Sequence, residues 1–367
     1  MQLGYDTEQG ERGGVMSFES VVHGAIEFVE DAAKTVKNAA KAVEKIAEKA
    51  GLPKIAGIAK SVGKYAGKLV IAPTPVLKGG QEIVKQMRRC SGEGDPDVGD
   101  DFRQGRRGFQ KVQDTLTKAH PSESWDGGPA PRAYDNRVQS QEKSTAILMD
   151  ADDQVATTLS READEINEVR RKLDGQHNWL ADYGKFTQSF GVIPVVGKEI
   201  QYVLETLAVS FVLTDAGHIM WDMHNNANSN AAAVRKTHDL YQTAASNATQ
   251  SDSVNDFDPR SSSAEQRVIV PAAIRALAGV QGIAEKNAAE SAAATTGASA
   301  KVGRTHGFIC AVTHKAVTEA EAERATAGKN LAGVCKELGG KLQHAAGRYE
   351  QADAEGKANL DKQMPPR

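Results

Sequence analysis

One stretch of the sequence spaces residues for chemistry: Asp215, His218 and Asp222 fall at i, i+3 and i+7, with His224 close by. On a helix such residues share a face, where carboxylates and imidazoles can hold a metal or exchange protons. No second ligand set accompanies them, so the favoured reading is a polar stripe on a long helix. His306 and His314 make another pair, but Gly307 beside His306 marks a sharp bend, which favours a role in the turn Thr305-His306-Gly307. Tyr349 and Asp353 lie one helical turn apart on one face, a directional, partly apolar patch suited to recognition by another protein. Trp125 and Gly127, as Trp-x-Gly, stand in a turn ahead of a long helix, and Trp125 reads as a plug between helices rather than a platform for a cofactor. No glycine-rich phosphate loop, nucleophile elbow or Cys–His signature occurs. No cofactor is expected, and no catalytic residue is assigned.

The elements that must position these residues are helices. Of 367 residues, 54 are alanine and only 5% are aromatic, so the apolar content consists mostly of small side chains. Such side chains suit close-packed helices and disfavour sheets. No uninterrupted apolar run approaches the length of a membrane span, and the N-terminus lacks a signal-peptide pattern. The net charge of −3 argues against a general nucleic-acid binder. Three cysteines cannot form a disulfide framework. Cys310 and Cys335 are 25 residues apart on one expected helix, ~37 Å at 1.5 Å per residue, too far to bond within a chain. An exposed Cys90 or Cys310 would instead be free to cross-link two copies; the plainer reading is three small buried thiols.

Charge divides the chain. Met16 to Cys90 holds 13 Lys and Arg against 7 Asp and Glu, leaving −9 for the rest. From Phe18 to Ala50 apolar residues recur every three or four positions, the pattern of an amphipathic helix, with Lys34, Lys37, Lys41, Lys45 and Lys49 beside the stripe. That face is either a solvated one or a surface for anionic lipid. Residues 1–15 are expected to be a non-native or disordered leader, with translation starting at Met16, and 16–95 a basic amphipathic helical region. A short helical stretch precedes Trp125. A long helix is expected from about Ala133 to Asp174, buried through Ile147, Leu148, Val155, Leu159, Ile166, Val169 and Leu173. Gly191 to Gly197 leads into a second helix from Glu199 to about Asn247, antiparallel to the first. Residues 251–264 read as a linker. Beyond it, Pro271 opens a helix and Leu331, Val334, Leu338, Leu342, Ala345 and Tyr349 form an a/d seam on the return arm. Such a hairpin is on the order of 50 Å or longer and buries little by itself, so it needs a partner. Residues 358–367 read as a disordered tail.

Trp125-x-Gly127 at a hairpin turn, with Tyr349-x-x-x-Asp353 after a return helix, resembles the marks of substrates of mycobacterial type VII (ESX) secretion. Residues from about 268 to 357 resemble EspC through Val-x-Pro271, the Thr305-His306-Gly307-Phe308-Ile309-Cys310 turn and Ala346-Gly-Arg-Tyr349-Glu-Gln-Ala-Asp353. Residues from about 100 to 250 resemble the EspA/EspE domain through Ser124-Trp125-Asp126-Gly127, Ala133-Tyr134 and Ile193-Pro194-Val195-Val196-Gly197. The chain departs from EspA-like proteins where they carry a strongly apolar, glycine-rich segment: Tyr202 to Leu213 is interrupted by Glu205 and, at about a dozen residues, is too short to span a bilayer.

The resemblance implies an all-α fold: long antiparallel helical hairpins of the WxG type forming an elongated bundle, plus the N-terminal amphipathic region. It implies a non-enzymatic secreted substrate or accessory component, exported to the medium or cell surface without a cleaved signal peptide. Tyr349 and Asp353 become the expected secretion signal, read by the secretion ATPase or a chaperone. The expected partners are that machinery and a second copy or another Esp-type protein, with a homo-oligomer expected and peripheral membrane contact left open. Two alternatives stand beside this reading: a membrane-active effector working through the basic N-terminal helix, and an enzyme using the His/Asp cluster.

Overall fold

The computed structural model describes residues 75–125, 129–192, 197–249 and 270–363. The expected leader 1–15, the amphipathic stripe from Phe18 to Ala50, Gly127, Ile193 to Val196 and the linker 251–264 lie outside those residues.

The described chain is all-α. Helix α1 spans Pro75–Cys90, α2 Asp100–Leu116, α3 Pro129–Thr187, α4 Gly197–Thr249, α5 Pro271–Ala293, α6 Ala298–His306 and α7 Ala311–Gln363, with a 3-10 turn at Phe308–Cys310 before α7. Prolines open α1, α3 and α5, where a missing N–H costs nothing because the first turn's donors have no partner within the helix. Both long helices outrun their sequence-derived bounds: α3 continues thirteen residues past Asp174. The expected disordered tail is corrected too, since α7 runs on as an exposed helix through Gln363.

Two compact units partition the chain, and they do not follow chain order. One comprises Met1–Glu93, Glu165–Asn225 and Gly307–Ile309; the other comprises Gly94–Asp164, Asn226–His306 and Cys310–Arg367. In the first unit α1 lies against α4 and the end of α3. A Cβ at Gly80 would stand 2.8 Å from Val209, and one at Gly184 2.8 Å from Leu77. Glu205, which interrupts the apolar run of α4, is buried here and accepts from Thr187 Oγ1 at 2.7 Å and Gln201 Nε2 at 2.8 Å. Burial pushes its carboxyl above the ordinary carboxylate range. The span Ile200–Ala248 is long and apolar enough to cross a membrane, which corrects the estimate of a dozen residues. Yet 56% of its most apolar window is buried inside the protein, as in a core helix.

In the second unit α5 and α7 form the hairpin, with α6 packed on α7 and α2 packed on α5. Its main core draws Phe102, Phe109 and Leu116 from α2, Leu148, Val155 and Leu159 from α3, Val234 and Tyr241 from α4, and Leu331 and Cys335 from α7. The segments before and after the expected linker thus share one core. This is how the thin hairpin covers its seam.

Candidate functional site

Trp125 sits in the turn between α2 and α3 and is 3% exposed. Its N–H donates to Ser122 O at 2.8 Å, and the Val270 N–H donates to Ser124 O at 3.2 Å, which ties the turn to the start of α5. The indole packs on Tyr134 with ring centroids 5.4 Å apart. Around it lie Val138 of α3, Ile274 of α5 and Leu338 and Leu342 of α7; Tyr349 packs, half-buried, against this same cluster. Burial pushes the Tyr134 phenol up to about 12, and its oxygen accepts from Gln281 Nε2 at 3.3 Å. Arg275 pairs with Glu350 and joins the two arms beside Tyr349. Asp353 stands one turn on, in the exposed final stretch of α7. Trp125 and Tyr349, 224 positions apart in sequence, therefore border one apolar cluster.

His120 braces the same turn. Its Nδ1 is 2.6 Å from Asp135 Oδ1 and its Nε2 is 3.4 Å from Glu142 Oε1. The hydrogen bond to Asp135, helped by Glu142 and opposed by burial, raises the imidazole above its ordinary value. A raised histidine stabilises the fold fully below its unfolded value of about 6.5, and this contribution is lost as pH rises through the folded value. His120→Gln should therefore lower stability at pH 5.5 and match the wild type at pH 9. With the side chain 34% exposed, solvent screening keeps the difference to about 1 kcal/mol or less. Urea melts at the two pH values check this, and an equal loss at both contradicts it.

The hairpin turn holds a buried ionic cluster. His306 is fully buried, with Nδ1 2.8 Å from Glu162 Oε2 and Nε2 2.9 Å from the Asp97 carbonyl oxygen. A carbonyl only accepts, so Nε2 carries a proton, and a second proton lies between Nδ1 and Glu162. Thr313 Oγ1 lies 2.6 Å from Glu162 Oε1 and 3.0 Å from Ala227 O. The Asp97 N–H donates to Thr305 Oγ1 at 3.2 Å, and Lys301 Nζ sits 2.7 Å from Asp97 Oδ2. The hydrogen bond to Asp97 raises the Lys301 ammonium above its ordinary value. Thr305 and His306 thus fasten the turn to α3 and to the loop before α2. Gly307 has φ 75, and a Cβ there would overlap the backbone of Cys90 to Gly92, so the third turn residue is glycine for two reasons.

A second buried cluster lies farther along α7. Arg324 donates from Nε to Asp152 Oδ1 at 2.7 Å and from Nη2 to Oδ2 at 2.9 Å, both side chains being fully buried. Tyr241 donates to the same Oδ1 at 2.8 Å. Arg324 Nη1 reaches Ser291 O at 2.8 Å and Ala292 O at 3.3 Å, carbonyls of the last turn of α5. One turn earlier on α7, the Glu321 carboxylate accepts from the N–H groups of Gly297 and Ser299, at 2.7 and 2.9 Å, at the start of α6. A cation at one helix end and an anion at the next start match both helix dipoles. A Cβ at Gly105 would overlap the Arg324 guanidinium. Sequence reasoning missed both clusters, although charges at core-seam positions signal them.

The Asp215, His218, Asp222 and His224 set does not converge on a ligand. Asp215 accepts from Gln176 of α3, His218 and Asp222 point to solvent, and His224 lies beside Trp221 with ring centroids 6.1 Å apart. Among the described residues no three His, Cys, Asp or Glu are placed to hold a metal ion. His314 packs against Gly303 while His306 turns to Glu162, so the pair shares no site. Cys310 is fully buried, which corrects its reading as an exposed cross-linker. Cys90 is half-buried and its thiol is raised by burial, which reduces the reactive thiolate. Burial likewise pushes the Cys335 thiol up to about 12.

Comparison with known proteins bears on these two segments. Residues 91–175 match the EspA/EspE family, and residues 263–362 match the family described as excreted virulence factor EspC, type VII ESX diderm. The ESX-1 secretion-associated protein EspE of Mycolicibacterium smegmatis is 30% identical over 219 residues, 56% of this chain and 42% of its own length. EspE of Mycobacterium tuberculosis is 28% identical over 106 residues, 29% of this chain and 26% of its own length. The chain spans less than half the length of these curated relatives. No solved structure matches significantly. Two family matches in order, with EspE similar across 56% of the chain, agree with the motif placement: the chain carries an EspA/EspE-like segment followed by an EspC-like one.

Proposed function

We propose that this chain is a substrate or accessory component of an ESX secretion system. It reaches the medium or the cell surface without a cleaved signal peptide and acts without catalysis, through helical self-association or a co-secreted Esp-type partner. The secretion ATPase or a chaperone reads the end of the hairpin, with Tyr349 and Asp353 as the signal and the Trp125-x-Gly127 turn as its support. The observation that carries this reading is the single apolar cluster bordered by both Trp125 and Tyr349, with Asp353 exposed one turn beyond. An aromatic held at a fixed height and a carboxylate a turn away make a recognisable patch only if the helix is anchored, and the cluster supplies the anchor.

The test is Tyr349→Ala in the full chain, expressed in a strain with a working ESX system. Tyr349 is half-buried at the edge of the cluster, so the variant should keep its helix content and its level in the cell pellet. Its level in the culture filtrate should fall at least about tenfold, because recognition of an aromatic anchor is worth roughly 1.4 kcal/mol or more. Wild-type filtrate levels for this variant would overturn the assignment of the signal.

A further inference from the structure

Helix α1 lies antiparallel on the later part of α3. Leu77 meets Gly184 at one end, and at the other Arg170 Nη2 donates to Ser91 O, just past α1, at 2.7 Å. Between these two fastenings the helices part around a cleft of about 270 Å³, lined by Val84, Lys85, Arg88, Leu173, Asp174 and His177. All six residues belong to one compact unit. Packed helices leave few voids larger than a water, and a gap held open from both sides is not a frayed helix end.

The cleft divides by chemistry. Val84 and Leu173 are fully buried and form an apolar floor. Lys85 stands exposed at the rim, and its ammonium enters no ion pair among the described residues. Arg88 follows at i+3 on α1, with Nε 3.5 Å from Asp174 Oδ2. That exceeds the ~3.2 Å reach of a good N–H···O bond, so the guanidinium keeps donors for another acceptor. His177 adds an imidazole whose Nδ1 is 3.5 Å from Asn178 Oδ1. Two cations and one carboxylate leave the rim at +1 with His177 neutral.

An apolar floor beneath a cationic rim selects a ligand with both characters. An inorganic anion would leave Val84 and Leu173 unfilled, and a hydrocarbon would leave Lys85 and Arg88 unmatched. The volume equals that of about nine waters at ~30 Å³ each, room for the body of a medium-chain carboxylate and not for a whole phospholipid. We propose that the α1–α3 cleft binds a free amphipathic monocarboxylate. Its carboxylate accepts from Lys85, Arg88 and His177, and its aliphatic body lies on Val84 and Leu173. Asp174 competes for Arg88 and so favours a single negative charge over a dianion. The site lies outside the proposed export role and does not depend on it.

The experiment is isothermal titration of decanoate, kept below its micelle-forming concentration, into the purified full chain near neutral pH. Saturable binding is expected, with acetate, inorganic phosphate and decanol each at least about tenfold weaker, because each lacks one half of the match. Lys85→Gln, at an exposed position, should weaken decanoate about threefold. Lys85→Gln with Arg88→Gln should weaken it at least about tenfold, through lost charge-assisted hydrogen bonds. Circular dichroism should show wild-type helix content in both variants. Decanol as tight as decanoate would reveal plain apolar contact, and acetate or phosphate as tight would reveal an anion site without a floor. Either would overturn the proposal, as would unchanged affinity in both variants. No saturable binding, or binding only to decanoate held in phosphatidylcholine vesicles, would do the same.

Discussion

Arg324→Ala should destabilise the chain by about 3–5 kcal/mol, the cost of stranding one member of a buried ion pair. The loss has two parts. Asp152 keeps the Tyr241 hydroxyl but loses both guanidinium bonds, and the carbonyls of Ser291 and Ala292 lose the guanidinium, Ser291 O keeping the Ala294 N–H. Burial already holds the Asp152 carboxyl above its ordinary range, with Arg324 the main influence pulling it down. In the variant it should rise further and take up a proton. A carboxyl raised in the folded state loses stability as pH climbs through its folded value. The deficit of the variant should therefore be larger at pH 8 than at pH 5. Denaturant melts at both pH values measure it. Arg324→Met with Asp152→Leu should recover more than half of the loss, because removing both charges removes the desolvation penalty. A double variant no better than the single one would show that the pair is worth more than its burial costs.

Trp125→Ala should cost about 3–5 kcal/mol as well, by leaving a cavity in a packed cluster. It removes the ring that seats Tyr134 and borders the same core as Leu342 and Tyr349. Export should fall with it, but for a different reason than in Tyr349→Ala. Trp125→Ala unseats the end of the hairpin and should lower the melting temperature, whereas Tyr349→Ala should leave melting nearly unchanged. Trp125→Phe, which keeps an aromatic in the cavity, should restore most of the stability and of the export. Normal melting of Trp125→Ala would contradict its place in the core.

How much of this was legible beforehand differs by scale. The buried face of α3 was readable from Leu148, Val155, Leu159, Ile166, Val169 and Leu173, because three-and-four spacing admits one geometry. The return-arm seam was readable for the same reason. Asp152 and Glu162 occupy the positions that complete that same face, and Arg324 stands between Ala320 and Ala327 on the seam of α7. Apolar periodicity skips such residues, although a charge in a seam register is itself the sign of a buried partner. Their partners come from elements 144 and 172 residues away, and no local pattern encodes that pairing. The shared core of the two segments was hidden likewise. A thin hairpin announces that it needs cover, and α2 and the long helices supply it only in three dimensions. The Trp-x-Gly and Tyr-x-x-x-Asp motifs were visible as text, while their meeting at one cluster was not.

Export by a type VII route can be read out in whole cells. Its most direct measurement is the amount of the wild-type chain in culture filtrates of two otherwise identical mycobacterial strains, one with the ESX secretion ATPase and one without, each normalised to the cell pellet and to a lysis marker. The chain should be present in the first filtrate and absent from the second, while accumulating in cells of the second strain. Equal filtrate levels in both strains, or confinement to the cells in both, would contradict it.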